Sequence, residues 1–270
     1  VNKGGVMSVK IDLSNKNAVI FGGGRGLGRE IAKTIAEAGA NVFIGNRSED
    51  EGKETAKALK EMGVKAGFYS ADISKDEKVE EFFKEAEKFY PEGIDIVIQN
   101  AGIIATEDLL DLDGSDAMKV YEVNAIGTGN VLKHALDHMI ENKNGKIVTI
   151  ASIAGQTSMG MLEHYSATKA AVISLTKNAS KIAAPYHINV NGISPGIIRT
   201  EMWEEILDDL DGESSGKSRD EVFDEKVKEI IPFGVPQTEQ DIANAALFLV
   251  SDLSKEITGV IISVDGGTSA

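Results

Sequence analysis

Seven short apolar runs, spaced along the chain by stretches of helical periodicity, leave very few architectures open. They are Ala18 to Phe21, Val42 to Ile44, Ala66 to Ser70, Ile94 to Ile98, Lys146 to Ile150, Ile188 to Val190 and Val260 to Val264, and their β-branched content reads as strands. Between them, Arg29 to Ala38, Glu49 to Met62 and Lys75 to Phe89 carry the apolar stripe of amphipathic helices. Runs that are continuously apolar rather than alternating belong to strands covered on both faces, as in parallel sheets. The repeat therefore predicts an α/β fold: a doubly wound parallel sheet of about seven strands with helices on both faces.

A chain of 270 residues can bury the core such a sheet needs, and one domain over residues 1–270 is expected. Residues 201–237 interrupt the repeat with the acidic run Asp208, Asp209, Asp211 and Glu213, followed by Ser214, Ser215 and Gly216. This stretch reads as an insertion past a strand end, where α/β proteins place ligands, and is expected to be a mobile lid over the substrate.

A formal net charge of −15 opposes a generic role on nucleic acid or anionic lipid, because each would repel so acidic a body. Without cysteine there is no thiolate nucleophile, Cys-ligated metal or disulfide framework, and a cytoplasmic location is expected. Val1 to Lys10 lacks the apolar centre of a signal peptide, and no run reaches the length of a membrane span, about 18 apolar residues.

Immediately after the first strand come Gly22, Gly23, Gly24, Arg25, Gly26, Leu27 and Gly28, opening onto the helix near Arg29. Backbone amides at that helix N-terminus face a pyrophosphate only if no Cβ obstructs the turn or the ligand's approach. The strand–loop–helix setting makes this a dinucleotide loop of the Rossmann type rather than a flexible turn.

The spacing Gly22, Gly26, Gly28 resembles the short-chain dehydrogenase/reductase family. Further matches are Asp72, Asn100-Ala101-Gly102, Asn124, Ser152, Tyr165 with Lys169, Pro195-Gly196 with Thr200, and the ending Val264-Asp265-Gly266-Gly267. They run in order from about Lys16 to Ala270. Two positions depart from the family pattern: Phe21 stands where Thr is usual and Gln99 where Asn is usual. The first loses a hydroxyl that in the family ties the glycine loop to the segment after the fourth strand.

The resemblance implies a nicotinamide cofactor held by Gly22, Gly24, Arg25, Gly26, Leu27, Asn46, Arg47, Asp72, Ile73, Asn100, Ala101, Gly102, Tyr165, Lys169, Pro195, Gly196, Ile198 and Thr200. An acidic residue at the end of the second strand would bind an NAD ribose; here Asn46 and Arg47 stand there, with Arg25 in the glycine loop. Two guanidinium groups for one 2′-phosphate predict NADP(H), with NAD(H) the lesser alternative. Asp72 lies near the adenine by family pattern, or on physical grounds caps the following helix.

Reducing a ketone leaves an alkoxide, which needs a proton donor of suitable acidity. Tyr165 and Lys169, four residues apart on a predicted helix, share one face about 6 Å apart along the axis. The ammonium is expected to lower the phenol pKa from its ordinary value of about 10. By resemblance, Ser152 hydrogen-bonds the substrate oxygen and Asn124 holds a water linking Lys169 to solvent. His134 and His138 have metal-pair spacing but no third ligand, so they are read as structural and no metal is expected. His164 points off the catalytic face. Met159, Met161 and Leu162 are expected to wall the substrate pocket, with Met202 and Trp203 opening the lid.

The expected function is an NADP(H)-dependent oxidoreductase moving a hydride between the nicotinamide and a ketone or secondary alcohol, with Tyr165 as acid and base. Residues Gly196 to Trp203 look like acetoin/butanediol and sugar-alcohol dehydrogenases of the family. Alternatives are a hydroxysteroid dehydrogenase, a 3-ketoacyl carrier-protein reductase, disfavoured because an acidic lid repels an acidic carrier, or a non-catalytic nucleotide sensor. A homotetramer is expected by resemblance, through Asn124 to Met139, Tyr165 to Ala183 and the last strand.

Overall fold

The computed structural model describes residues 10–106, 114–160, 162–204 and 216–270. Among them, strands β1 (Asn17–Phe21), β2 (Asn41–Asn46), β3 (Ala66–Ser70), β4 (Ile96–Gln99), β5 (Gly145–Ile150), β6 (Ile188–Pro195) and β7 (Ile261–Val264) form one sheet. Its order is β3-β2-β1-β4-β5-β6-β7, with every neighbouring pair parallel. The helices are α1 (Gly26–Glu37), α2 (Glu49–Glu61), α3 (Asp76–Phe89), α4 (Ser115–Val120), α5 (Gly127–Asn142), α6 (Glu163–Ala183), α7 (Arg219–Ile230) and α8 (Glu239–Val250). A π-helical stretch, Tyr121–Ile126, joins α4 to α5.

Both faces of the sheet are covered, which is why the strands read as unbroken apolar runs. On one side Ile20, Ile44 and Ile98 pack with Ile31 and Ile35 of α1 and Ile242 and Leu249 of α8. On the other, Val19, Phe21, Phe43 and Val97 meet Phe82 and Phe83 of α3 and Val131 and Met139 of α5. Successive residues of β1 thus feed opposite cores, and both are buried. Helices α7 and α8 start at capping boxes, Ser218 with Glu221 and Thr238 with Asp241.

Strand β6 continues beyond the predicted Val190 to Pro195, and on either side of Ile193 the added residues Asn191, Gly192 and Ser194 are buried but polar or small. Asn191 Nδ2 donates to the Ile257 carbonyl at 2.8 Å, and its Oδ1 accepts from Val260 N at 3.2 Å. Satisfied in this way, an amide side chain can sit inside a sheet where an apolar criterion stops short.

Phe21 belongs to an aromatic cluster, its ring 4.4 Å from Phe82 and 5.8 Å from Phe83. The loop tie lost with the family's hydroxyl is made instead by Asn100, whose Nδ2 donates to the Gly22 carbonyl at 2.9 Å. The backbone amides of Asn100 and Ala101 both donate to the Phe21 carbonyl, at 3.1 and 3.0 Å. Gln99 Nε2 donates to the Ala101 carbonyl at 2.9 Å and to Thr128 Oγ1 at 3.1 Å. The strand-end loops are therefore cross-tied by a different set of bonds.

Gly28 marks the tightest point of this arrangement. A Cβ there would fall inside contact distance of the Gly22 carbonyl oxygen and 2.5 Å from Asn100 Nδ2, so α1 could not approach the loop. Gly28→Ala is expected to lower the unfolding free energy by about 2–3 kcal/mol through overpacking, read as a lower midpoint in denaturant at unchanged slope. An unchanged midpoint would show that the loop yields freely.

Candidate active site

The order of strands reverses between β1 and β4, and beyond their carboxyl ends lies a cavity of about 480 Å3. Nearly every residue expected from the sequence lines it. Gly22, Arg25, Gly26 and Leu27 supply the glycine loop, and Asn46 and Arg47 the end of β2. Asp72 and Ile73 follow β3, Asn100, Ala101 and Gly102 follow β4, and Pro195, Gly196, Ile198 and Thr200 follow β6. Ser152, Tyr165 and Lys169 come from β5's end and α6. Gly24 and Asn124 stand behind the wall. Gly24 leaves room for the Asn46 amide, and its carbonyl accepts from Arg29 Nε at 2.9 Å and Thr55 Oγ1 at 2.9 Å.

The glycine loop fits an anionic group. Unlike α2, α3, α7 and α8, helix α1 carries no acidic residue in its first turn, and Arg25 at its N-cap makes no side-chain cap, leaving amides directed outward. Gly26 has a left-handed φ of 48°, and a Cβ there would meet only Glu239 Oε1, at 3.9 Å, so a phosphate can approach the backbone. Asp72 accepts from Ser74 N at 3.0 Å and Ser74 Oγ at 2.8 Å. It makes this turn ahead of α3 rather than serving as its N-cap, which is Lys75.

The charges at the end near β2 differ from the simple expectation of two free arginines. Arg25 Nη1 lies 2.5 Å from Glu201 Oε2 and 3.8 Å from Glu51 Oε1. Asn46 Nδ2 donates to Ser48 O at 2.9 Å and Glu51 Oε2 at 3.2 Å. Arg47 is exposed and makes no ion pair among the described residues. Glu51 was not identified from the sequence, although Ser48-x-x-Glu51 has capping-box spacing; Ser48 makes no side-chain cap, and Glu51 lines the cavity instead.

At the other end, Tyr165 and Lys169 are 7% and 5% exposed, with the ammonium 5.6 Å from the phenol ring centre. Lys169 Nζ donates to the Ile150 carbonyl at 3.0 Å, which fixes it under the site. Burial pushes the Tyr165 phenol up to about 12, opposed by its hydrogen bond with Ser152, and pushes Lys169 down to about 8. In the chain by itself, desolvation is the largest influence on both groups, raising the phenol and lowering the ammonium. Ser152 caps a short 3-10 turn, its Oγ accepting from Ala154 N at 3.1 Å.

Asn124 is 1% exposed, and its amide is engaged throughout. Oδ1 accepts from Ile103 N at 2.9 Å, while Nδ2 donates to Ile103 O at 2.8 Å and Thr168 Oγ1 at 3.1 Å. Thr168 in turn donates to the Tyr165 carbonyl at 2.7 Å. The side chain clamps the loop after β4 to α6 rather than facing the cavity. Gly102 is needed beside it, since a Cβ would lie 3.2 Å from Asn124 Oδ1 and 3.4 Å from Lys169 Nζ.

Around the phenol the wall is apolar. Ala154, Leu162 and Tyr165 pack together with Ile104 and Met159, and Met202 and Trp203 line the same cavity. Trp203 stands edge-on to Phe223 of α7 at 5.8 Å. Met161 and residues 205–215 of the expected lid lie outside the described residues. His134 Nε2 lies 2.9 Å from Asp76 and His138 Nδ1 2.9 Å from Glu87, both turned toward α3. His164 packs on Tyr121. No described helix is long and apolar enough to cross a membrane.

A family model described as Enoyl-(Acyl carrier protein) reductase matches residues 22–269. The chain is 34% identical to a 3-oxoacyl-[acyl-carrier-protein] reductase of Aquifex aeolicus (strain VF5), covering 96% of this chain and 99% of that one. It is 35% identical to a diacetyl reductase [(S)-acetoin forming] of Staphylococcus epidermidis (strain ATCC 12228 / FDA PCI 1200), over 94% of this chain and 98% of that protein. Among solved structures, a gluconate 5-dehydrogenase from Burkholderia cenocepacia J2315, in complex with NADP and tartrate, superposes with a TM-score of 0.87 at 30% identity. That match covers 96% of this chain and 97% of the other.

Proposed function

The chain belongs to the short-chain dehydrogenase/reductase family of oxidoreductases, and from that premise we propose that it moves a hydride between NADP(H) and a ketone or secondary alcohol, with Tyr165 as general acid and base. The observation that carries this reading is the meeting of Ser152, Tyr165 and Lys169 at one end of a cavity whose other end is the glycine loop. The nicotinamide, when bound, supplies or accepts the hydride. Everything else falls to the chain's own residues.

Ser152 is positioned to donate to the carbonyl oxygen, polarising it and aligning it with the phenol that hydrogen-bonds the same hydroxyl. Tyr165 then gives its proton to the alkoxide, or takes one from the alcohol in reverse. Lys169, anchored on Ile150, binds ribose hydroxyls and stabilises the phenolate when it is formed. Asn124 is a positioning residue: through Thr168 and Ile103 it sets the register of α6 against the loop after β4. Residues 201–237 act as the lid, with Trp203 on the apolar cluster of Phe223, Val227 and Ile231.

NADP(H) is favoured by Arg47, an exposed cation at the cavity without an ion pair among the described residues. Arg25 joins it only by exchanging a carboxylate partner for the phosphate. Replacing Arg47 by Asp is expected to raise the KM for NADPH at least tenfold, about 1.4 kcal/mol, while sparing NADH. Equal preference of the parent protein for both cofactors would remove the basis for this assignment. Optical assay of NADPH oxidation across a panel of ketones tests the activity itself.

A second reading, reduction of a 3-oxoacyl thioester on a carrier protein, is favoured by the Aquifex relative's name. The net charge of −15 opposes it, as it would slow association with an acidic carrier. The site is expected to be one of several in an oligomer, and the protein to work in the cytoplasm.

A further inference from the structure

The substrate end of the cavity contains three chemically distinct walls. One is the polar floor of Ser152, Tyr165 and Lys169. The second is Ile104, Ala154, Met159 and Leu162, closed around the phenol. The third is Met202 and Trp203, backed by Phe223. Of the three cationic side chains that line the cavity among the described residues, Arg25 and Arg47 lie at the end near the glycine loop and β2, and Lys169 is held beneath the phenol by the Ile150 carbonyl. Arg199, next in sequence to the lining residues Ile198 and Thr200, is engaged elsewhere: its guanidinium pairs with Glu204 at 3.1 Å and Asp220 at 2.6 Å and lies over the Phe223 ring.

A carboxylate on the substrate would lose its water among methyl and thioether groups and gain no counter-ion from the described residues around it. A polyol would leave its hydroxyls without partners against the same wall.

Building on the hydride-transfer reading, we infer that this site takes an uncharged carbonyl compound whose substituents are apolar, and rejects carboxylated carbonyls such as keto acids. The selectivity comes from the side chains opposite Tyr165, with Met159 the position that sets it.

Trp203 is the only tryptophan in the chain and lines the cavity, so its fluorescence reports occupancy independently of turnover. With NADP+ present, cyclohexanone and 4-oxocyclohexanecarboxylate, alike but for the charge, are titrated against Trp203 emission. Cyclohexanone is expected to half-saturate at least tenfold lower, about 1.4 kcal/mol. Met159→Lys, at a half-buried position able to extend an ammonium toward the cavity, is expected to reverse the order. Equal or tighter binding of the carboxylate by the parent protein, or no response to cyclohexanone, overturns the inference. Selective binding of cyclohexanone without turnover by either NADPH or NADH would leave it standing and refute the hydride-transfer reading instead.

Discussion

Tyr165→Phe is expected to lower kcat for carbonyl reduction about a thousandfold, roughly 4 kcal/mol of transition-state stabilisation, while the Kd for the cofactor changes less than twofold. The substitution removes one oxygen from a side chain that is 7% exposed and packed on Ala154 and Leu162, so the ring still fills its place. What disappears is the phenol hydroxyl, the proposed proton donor to the substrate oxygen. Ser152 remains, and with it the polarisation of the carbonyl, which is why a residual rate is expected. Rapid-mixing measurement of the hydride step, together with cofactor titration, separates the two effects. A variant with the parent's hydride-transfer rate would eliminate Tyr165 as the acid and base.

Lys169→Met is expected to make the protein more stable at neutral pH while lowering its activity about a hundredfold or more. Burial depresses the ammonium's pKa from 10.5 to about 8. The folded state therefore binds fewer protons than the unfolded state between those values. Below pH 8 both states hold the proton and the full cost of burying the charge is present; it fades as pH rises toward 10.5. A shift of this size corresponds to about 3 kcal/mol, and loss of the bond to the Ile150 carbonyl takes back about 1 kcal/mol, so a net gain on the order of 1–2 kcal/mol is expected at pH 7. The gain should shrink as pH rises from 8 to 10. Denaturant midpoints across that range check the sign, and a gain constant with pH would mean that the Lys169 pKa is not depressed in the folded protein.

The same shift predicts the pH profile. Reduction needs the phenol protonated, and with Tyr165 pushed up to about 12 that condition holds throughout the usual range. A fall in kcat/KM for reduction above pH 8 would then belong to Lys169, and should be absent from the residual activity of Lys169→Met. A fall retained in the variant would assign that limb to another group.

The sheet was legible in the amino-acid sequence because each of its strands is buried on both sides, which selects residues such as Val19, Ile20, Val97 and Ile98 irrespective of which face they serve. The glycine loop was legible because backbone approach forbids side chains, a restriction that shows directly in residue type at Gly22 and Gly26. Tyr165 and Lys169 were legible because one helical turn brings them to one face. These are local constraints, carried by a few neighbouring residues.

Charge partnerships and acidity were decided only by tertiary structure. Glu51 has capping-box spacing but turns to Asn46 and Arg25, and Glu201 reaches Arg25 across 176 residues of chain. The partners of the Asn124 amide, Ile103 and Thr168, come from a loop and a helix remote from it in sequence. The direction of the Tyr165 shift depends on how completely Ala154, Leu162, Ile104 and Met159 exclude solvent, since desolvation and a nearby ammonium act in opposite senses. A sequence records which groups are present and how neighbours along the chain are spaced. Which of two opposing electrostatic effects prevails depends on distances and on the water displaced, and those exist only once remote segments have packed.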